Sequence, residues 1–206
     1  MMEPISLFFS MKRLITLAAA TLALIACTDT TGLSDKSSRG PKGNANAAVT
    51  VAEYADLQCP ACQAAHTQIN APLLAKYGAQ IRFEFKHFPL RSIHRYALEA
   101  SMASECAADQ GKFWEYVDIV YSEQKKLDIE QLSVWAKALG LDEDLFDRCM
   151  NAKIKRDTVL ADYEEGQGLG VTGTPTYFVN GKKVESGFDT LSAAIDGALG
   201  GVIQRL

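Results

Sequence analysis

Apolar and polar positions alternate over residues 49–57, where Val49, Val51 and Tyr54 supply β-branched and aromatic side chains, and this predicts a strand. Residues 60–77 change to helical spacing through Ala61, Ala64, Ala65, Ile69 and Leu73, with a bend expected at Pro72. Residues 80–88 alternate again: Ile81, Phe83 and Phe85 stand against Arg82, Glu84 and Lys86, the pattern of a half-buried strand. From Ser92 to about Gly166 the helical period holds throughout. Ala97, Ala100, Ser101, Ser104 and Ala107 define one helix, and residues 112–123, 129–139 and 143–164 define three more, with a break at Gly140. After Gly173-Thr174-Pro175 the strand pattern returns over residues 176–179. Asn180-Gly181 then leads into Lys182-Lys183-Val184, a hairpin signal. Residues 191–199 close the chain as a helix. The order is strand, helix, strand, helical block, hairpin, helix. The fold class is therefore α/β, and no internal repeat is visible.

The N-terminus reads differently. Met11-Lys12-Arg13 is a basic start, and residues 14–26 are apolar apart from Thr16 and Thr21. That run is too short to span a bilayer, which takes roughly 20 residues, but it fits the apolar core of a secretory signal. It ends Leu24-Ile25-Ala26-Cys27, which resembles a bacterial lipobox, in which the signal is cut before the cysteine and the cysteine is acylated. A plain signal peptide or an uncleaved anchor is the simpler alternative. Glu3 ahead of the basic pair points to a start at Met11. The expected organisation is a signal over residues 1–26 and a lipidated Cys27 with a flexible tether to residue 48. The first part of the folded domain covers residues 49–91. An inserted helical subdomain covers 92–166, and the domain is completed over 167–206. Residues 28–48 read as a tether because they hold Thr, Ser, Gly, Asn, Lys and Asp with almost nothing apolar.

Composition adds little beyond this. The chain has 206 residues, 48% hydrophobic and 22% charged, with a net charge of −4, so nucleic acid is not an expected partner. Its five cysteines change the picture. Cys59-Pro60-Ala61-Cys62 sits where the first strand turns into the first helix. Two thiols at this spacing close a small reversible disulfide, the requirement for thiol–disulfide exchange. Pro60 falls at the first helical position, and the helix N-terminus favours a thiolate on Cys59. Cys62, one turn on, is the resolving thiol. A metal clip is the rival, but zinc sites of this kind normally need a second pair at similar spacing, and the chain has no second C-x-x-C. His66 could join a copper or zinc site; an ordinary helix-face role is the simpler reading, and no metal is expected. Glu53, six residues before Cys59, would have a raised pKa if buried and could exchange protons with Cys62; on an outward edge it would do neither. Cys106 and Cys149 lie in the helical block. In an exported protein they are expected to pair, the alternative being two buried free thiols.

These segments together resemble the DsbA-like thioredoxin-fold proteins that carry a helical insertion. The resemblance rests on residues 49–62, Lys86-His87-Phe88-Pro89-Leu90, residues 111–116 and residues 170–181, in that order. It implies a thioredoxin-like fold with an inserted all-helical subdomain and exchange through Cys59. It also implies a cis proline at Pro175, a buried acid at Glu53 and a second disulfide at Cys106 and Cys149. A cis Pro175 would hold the Thr174 backbone beside the dithiol, ready to pair with an extended substrate. One departure stands out: strongly oxidising members carry His between the cysteines, and here the dipeptide is Pro60-Ala61. A less oxidising couple is expected, and Thr174 before the proline points the same way. No cofactor beyond the Cys59–Cys62 redox pair is expected. The expected partners are exported proteins with cysteines and a membrane redox protein. The expected form is a lipid-anchored monomer in the cell envelope, at the outer membrane where there are two.

Overall fold

The structure is a computed structural model, and it describes residues 30–203. The signal, the Met11 start and the lipidation site Cys27 lie outside the described residues.

Five strands form one sheet in the order β1-β3-β2-β4-β5. They are β1 (Lys42–Gly43), β2 (Val49–Ala55), β3 (Ile81–His87), β4 (Thr176–Val179) and β5 (Lys182–Val184). β2 and β3 run parallel, with Val51 opposite Phe83 and Glu53 opposite Phe85; the other neighbours are antiparallel. Parallel neighbours need a crossover. It is supplied by α1 (Pro60–Ala65), a π turn (His66–Asn70) and α2 (Ala71–Tyr77). The predicted bend at Pro72 takes the form of this π turn, in which the Ala71 N–H reaches back to the His66 carbonyl. Pro72 has no N–H to give, so the ladder is already disturbed there.

The period of two along β2 sorts its side chains. Val49 and Val51 face a core completed by Leu73, Tyr77, Ile81, Phe83, Tyr177, Leu191 and Ile195. Glu53 belongs to the same face. Tyr54 points the other way and packs with Phe88, Val171 and Phe178. The final helix, α8 (Phe188–Ile203), covers the first face and is longer than the predicted 191–199.

Between β3 and β4 lies the helical block: α3 (Ala97–Ala108), α4 (Phe113–Ser122), a 3-10 turn (Gln124–Lys126), α5 (Ile129–Ala138), α6 (Glu143–Asn151) and α7 (Arg156–Gly168). Small residues (Ala97, Ala100, Ser101, Ala103, Ser104, Ala107) let α3 be buried almost all round, at the centre of the block. Asp128 and Asp142 cap α5 and α6 by accepting the N–H groups of Gln131 and Leu145. Cys106 on α3 and Cys149 on α6 are disulfide-bonded, with Cα atoms 5.9 Å apart. By chain entropy, closing this 43-residue separation contributes about 4 kcal/mol.

Two readings are corrected. The single helix expected over 143–164 is two, because the chain turns through Lys153 (φ 52°) before α7. The turn brings the Lys155 ammonium inside, 2.7 Å from Asp109 Oδ1 and from the Lys36 carbonyl. The second correction concerns the tether. Residues 30–48 are not free of the domain, and the fold begins ahead of Val49. β1 pairs with β3, Leu33 packs on the helical core, and the Trp114 indole N–H donates to the Gly40 carbonyl at 3.0 Å. Arg39 is nearly buried between Glu105 and Asp162. Polar composition concealed this segment because, Leu33 apart, it is held by ion pairs and hydrogen bonds.

Candidate active site

Cys59 is the N-cap residue of α1. Its extended backbone (φ −77°, ψ 122°) turns the chain from β2 into the helix, and Pro60 takes the first helical position. Both Pro60 and Ala61 are exposed, while Cys62 is fully buried beneath them. The structure holds the pair as free thiols. The preceding loop is fastened from three sides. The Asp56 carboxylate accepts the N–H groups of Gln58 (2.7 Å) and Leu90 (2.8 Å) and pairs with His94 Nδ1 (2.8 Å). Gln124 from the helical block donates to the carbonyls of Leu57 and Cys59. Tyr96 N–H donates to Gln58 Oε1.

The two sulfurs are pushed in opposite directions. The Cys59 thiol falls to about 5, chiefly through its hydrogen bond from Cys62. Burial opposes that fall. Thr174 and the N–H groups of Cys62 and Ala61 add to it. Cys62 moves far up, first because it is buried, then because the Cys59 sulfur and Glu53 disfavour a second negative charge. At neutral pH the reduced site is a thiolate over a thiol. No cation between the cysteines is needed for this; backbone donors and the second thiol supply it.

Thr174 and Pro175 come from the loop before β4. Their peptide bond is cis, and the Thr174 carbonyl lies 3.5 Å from Cys59 Sγ. Glu53 is buried, on the sheet face beneath α1. Asn70 Nδ2 donates to its Oε2 at 2.8 Å, and the Tyr177 hydroxyl lies 3.0 Å from its Oε1. Burial lifts Glu53 to about 7, against the pull of Tyr177, His66 and Asn70. The structure thus gathers Cys59, Cys62, Glu53, Thr174 and Pro175 at one end of the sheet. Cys106 and Cys149 stay apart from the chemistry as a structural bridge. His66 is paired with Asp118 at 2.8 Å, and no cluster of three metal-ligating side chains occurs among the described residues.

Sequence reasoning missed Asn70, Tyr177, Asp56 and Gln124. A polar residue on the inward face of a helix was a usable signal for Asn70. Tyr177 becomes visible only through register, since it stands opposite Glu53 across β2 and β4.

Residues 39–197 match the thioredoxin family, and the chain belongs to it. The solved structures it resembles are DsbA-like. α-DsbA1 of Wolbachia pipientis superposes with a TM-score of 0.70 at 25% identity, over 80% of this chain and 92% of that one. A thioredoxin-like oxidoreductase from Silicibacter pomeroyi gives 0.67 at 25% identity, over 76% and 89%. BdbD of Bacillus subtilis gives 0.67 at 22% identity, over 80% and 98%, a likeness of fold. Among curated proteins, the Na(+)/H(+) antiporter NhaA 3 of Salinispora tropica is 39% identical over 159 residues, 76% of this chain but 24% of the antiporter. The NhaA 1 antiporter of Salinispora arenicola is 36% identical over 81% of this chain and 25% of its own length. The chain spans about a quarter of these relatives. The protein is thus a DsbA-like member of the thioredoxin fold.

Proposed function

We propose that the protein is an exported, membrane-anchored thiol–disulfide oxidoreductase that works mainly as an oxidase on proteins outside the cytoplasm. The observation that carries this is the split between Cys59, an acidic sulfur at the helix N-terminus, and Cys62, a buried and strongly basic one. In the oxidised enzyme a client thiolate attacks Cys59 Sγ and breaks the Cys59–Cys62 bond. Cys62 leaves as a thiolate and takes the proton of Glu53. A second client thiolate then attacks the client sulfur of the mixed disulfide, and Cys59 departs as a thiolate. Two electrons have passed from client to enzyme, and a membrane redox partner must remove them. A low Cys59 pKa makes the last step fast and favours the reduced enzyme, hence oxidation of the client. A value of about 5 lies between those of a strong oxidase and thioredoxin, about 3.5 and 7, in keeping with a moderately oxidising couple.

The Thr174 backbone beside Cys59 offers an extended client a strand to pair with. The uncharged Pro60-Ala61 dipeptide and Thr174 favour a second reading, a reductase or isomerase with the same residues. A non-catalytic metal- or partner-binding lipoprotein has less support, because His66 is engaged by Asp118. Cys27 is the proposed lipid anchor, and the outer membrane the proposed site where there are two. Among the described residues no helix is long and apolar enough to cross a membrane. The similar stretch within sodium/proton antiporters is in keeping with work at a membrane surface. We take the protein to act as a monomer.

The test is the full chain carrying Cys62→Ala, expressed in its own envelope. Mixed disulfides between Cys59 and cysteine-containing client proteins should accumulate and disappear on reduction; their absence overturns the exchange reading. Titration of the wild-type couple against glutathione sets the direction, and a value as low as that of thioredoxin, about −270 mV, would replace oxidase with reductase. Mass spectrometry of the membrane-extracted protein checks the acyl group on Cys27.

A further inference from the structure

Glu53, Tyr177 and Asn70 form a closed triangle of side chains. The Tyr177 hydroxyl lies 3.0 Å from Glu53 Oε1 and 2.7 Å from Asn70 Oδ1, and Asn70 Nδ2 lies 2.8 Å from Glu53 Oε2. All three residues are buried. Each contact needs a hydrogen of its own. The amide supplies one to the triangle and the phenol supplies one. An ionised carboxylate supplies none: it can accept from both Tyr177 and Asn70, the downward pull that burial outweighs, but the Tyr177–Asn70 contact is then oxygen against oxygen with nothing between. A neutral carboxyl supplies the third hydrogen: Glu53 donates to Tyr177, Tyr177 donates to Asn70, and Asn70 donates to Glu53. Turning the amide over reverses the direction of the ring and leaves the count unchanged.

We propose that Tyr177 and Asn70 are positioning residues that store a proton on Glu53, in a hydrogen-bonded ring that is complete only while Glu53 is the neutral acid. When Cys62 takes the proton, the Tyr177 hydroxyl swings from Asn70 to the new carboxylate, and the Tyr177–Asn70 contact is lost. A buried polar group left without its partner is costly, so the ring draws the proton back once Cys62 is again in a disulfide. Asn70 also lines a cavity of about 340 Å³ shared with His66, Thr67 and Asp118, which gives the proton a way to solvent. This role rests on the exchange reading for its purpose, but the ring itself is measured without any client.

The groups facing Glu53 are Tyr177 from β4, Asn70 and His66 from the π turn, Cys62 from α1 and Tyr121 from α4. The Cys62 thiol and the phenols of Tyr177 and Tyr121 are all pushed far above their ordinary values and keep their protons where Glu53 titrates. His66 is controlled by repeating the measurement in His66→Gln.

The experiment is a double-mutant cycle on urea stability, with Cys59 and Cys62 reduced, well below and well above the Glu53 titration. It uses the full chain as wild type, Tyr177→Phe, Asn70→Ala and the pair. Below the titration, the double variant should unfold less readily than the two single effects predict, by roughly fivefold in the equilibrium constant. Above it that factor should vanish, while in a Glu53→Gln background it should persist at both pH values, because the amide keeps a hydrogen in place. Equal coupling on both sides of the titration, or none on either, overturns the ring. The infrared phenol band of labelled tyrosine in otherwise unaltered protein covers the case of variants that fail to fold. It should move in step with the Glu53 carboxyl band, and a band that stays still overturns the proposal. Neither readout depends on client oxidation, so a failed ring leaves exchange standing, and failed exchange leaves the ring measurable.

Discussion

Cys59 Sγ lies 3.5 Å from the carbonyl oxygen of Thr174, a residue 115 positions away in the chain. A thiol can donate to that oxygen; a thiolate cannot. Once ionised, the sulfur depends on the Cys62 thiol, on the Thr174 side chain and on the N–H groups of Cys62 and Ala61. All but the Thr174 side chain belong to the helix start, and none of them is the Thr174 carbonyl. The carbonyl is left free to accept an N–H from an extended client, so ionisation and docking do not compete.

The first prediction follows from the depressed Cys59 value. Alkylation of Cys59 in the reduced protein should be half-maximal near pH 5, and Cys62 should not react below about pH 9. Linkage fixes the sign for stability. The folded value lies below the unfolded one, so the thiolate's contribution is complete above about pH 9 and is lost as pH falls through about 5. The reduced form should therefore gain on the oxidised form over that window as pH rises. Urea titrations of both forms check this; a stability of the reduced form that falls relative to the oxidised form as pH rises refutes it.

Glu53 shows the opposite sign. Its folded value of about 7 lies above the ordinary carboxyl value of 4.5, so between the two the native state holds a proton that the unfolded chain gives up. The penalty is absent below about pH 4.5 and complete above about 7, reaching up to about 3 kcal/mol. Glu53→Gln should match wild type near pH 4.5 and exceed it by up to that amount above pH 7. Slower formation of mixed disulfides from the oxidised protein should accompany the gain, since the proton for the departing Cys62 is gone. A variant equally stable at both pH values would show that Glu53 is not buried as a neutral acid.

Arg39 should prove essential to the fold although it lies in a segment of tether-like composition. It bridges Glu105 and Asp162, which also hold the side chain and backbone N–H of His87. Burial works against the Glu105 charge, but His87 and Arg39 overcome it and bring the acid down to about 2. Arg39→Ala leaves two buried carboxylates short of a cation and should cost about 3–5 kcal/mol. Glu105→Gln should recover part of that loss. Urea denaturation at neutral pH measures both; a loss below about 1 kcal/mol would mean the bridge contributes no more than a surface pair.

These cases mark what could be read along the chain. Cys59-Pro60-Ala61-Cys62 and the Asn180-Gly181 hairpin are local signals, carried by neighbours, and both sit where the pattern puts them. Arg39 was hidden because its partners lie 66 and 123 residues away and are themselves charged. Tyr177 and Asn70 were hidden for a related reason. Their meaning comes from strand register and from a π turn that no apolar period announces. The break between α6 and α7 has the same origin, since a buried Lys155 reads as surface until Asp109 is beside it.

Gly166 sets two local rules against each other. It lies within α7, where alanine is the better helix former by about 1 kcal/mol, so propensity alone predicts that Gly166→Ala stabilises. Packing predicts the reverse. A Cβ at this position would stand 2.8 Å from Phe88 Cδ2 and 2.9 Å from Tyr54 Cδ1. Neither ring can easily retreat. Phe88 stacks on Tyr163 at 4.5 Å, and the Tyr54 hydroxyl donates to Glu165 at 2.9 Å, both on the same helix. Moving the rings means moving α7 off the sheet, and overpacking of this kind costs about 1–3 kcal/mol. Gly166→Ala should therefore lose about 1 kcal/mol net in urea denaturation, with an exposed glycine such as Gly168, which has open space at its Cβ, as the control. Gly168→Ala should be neutral or better. A Gly166 variant more stable than wild type would show that α7 is not seated this closely on the sheet.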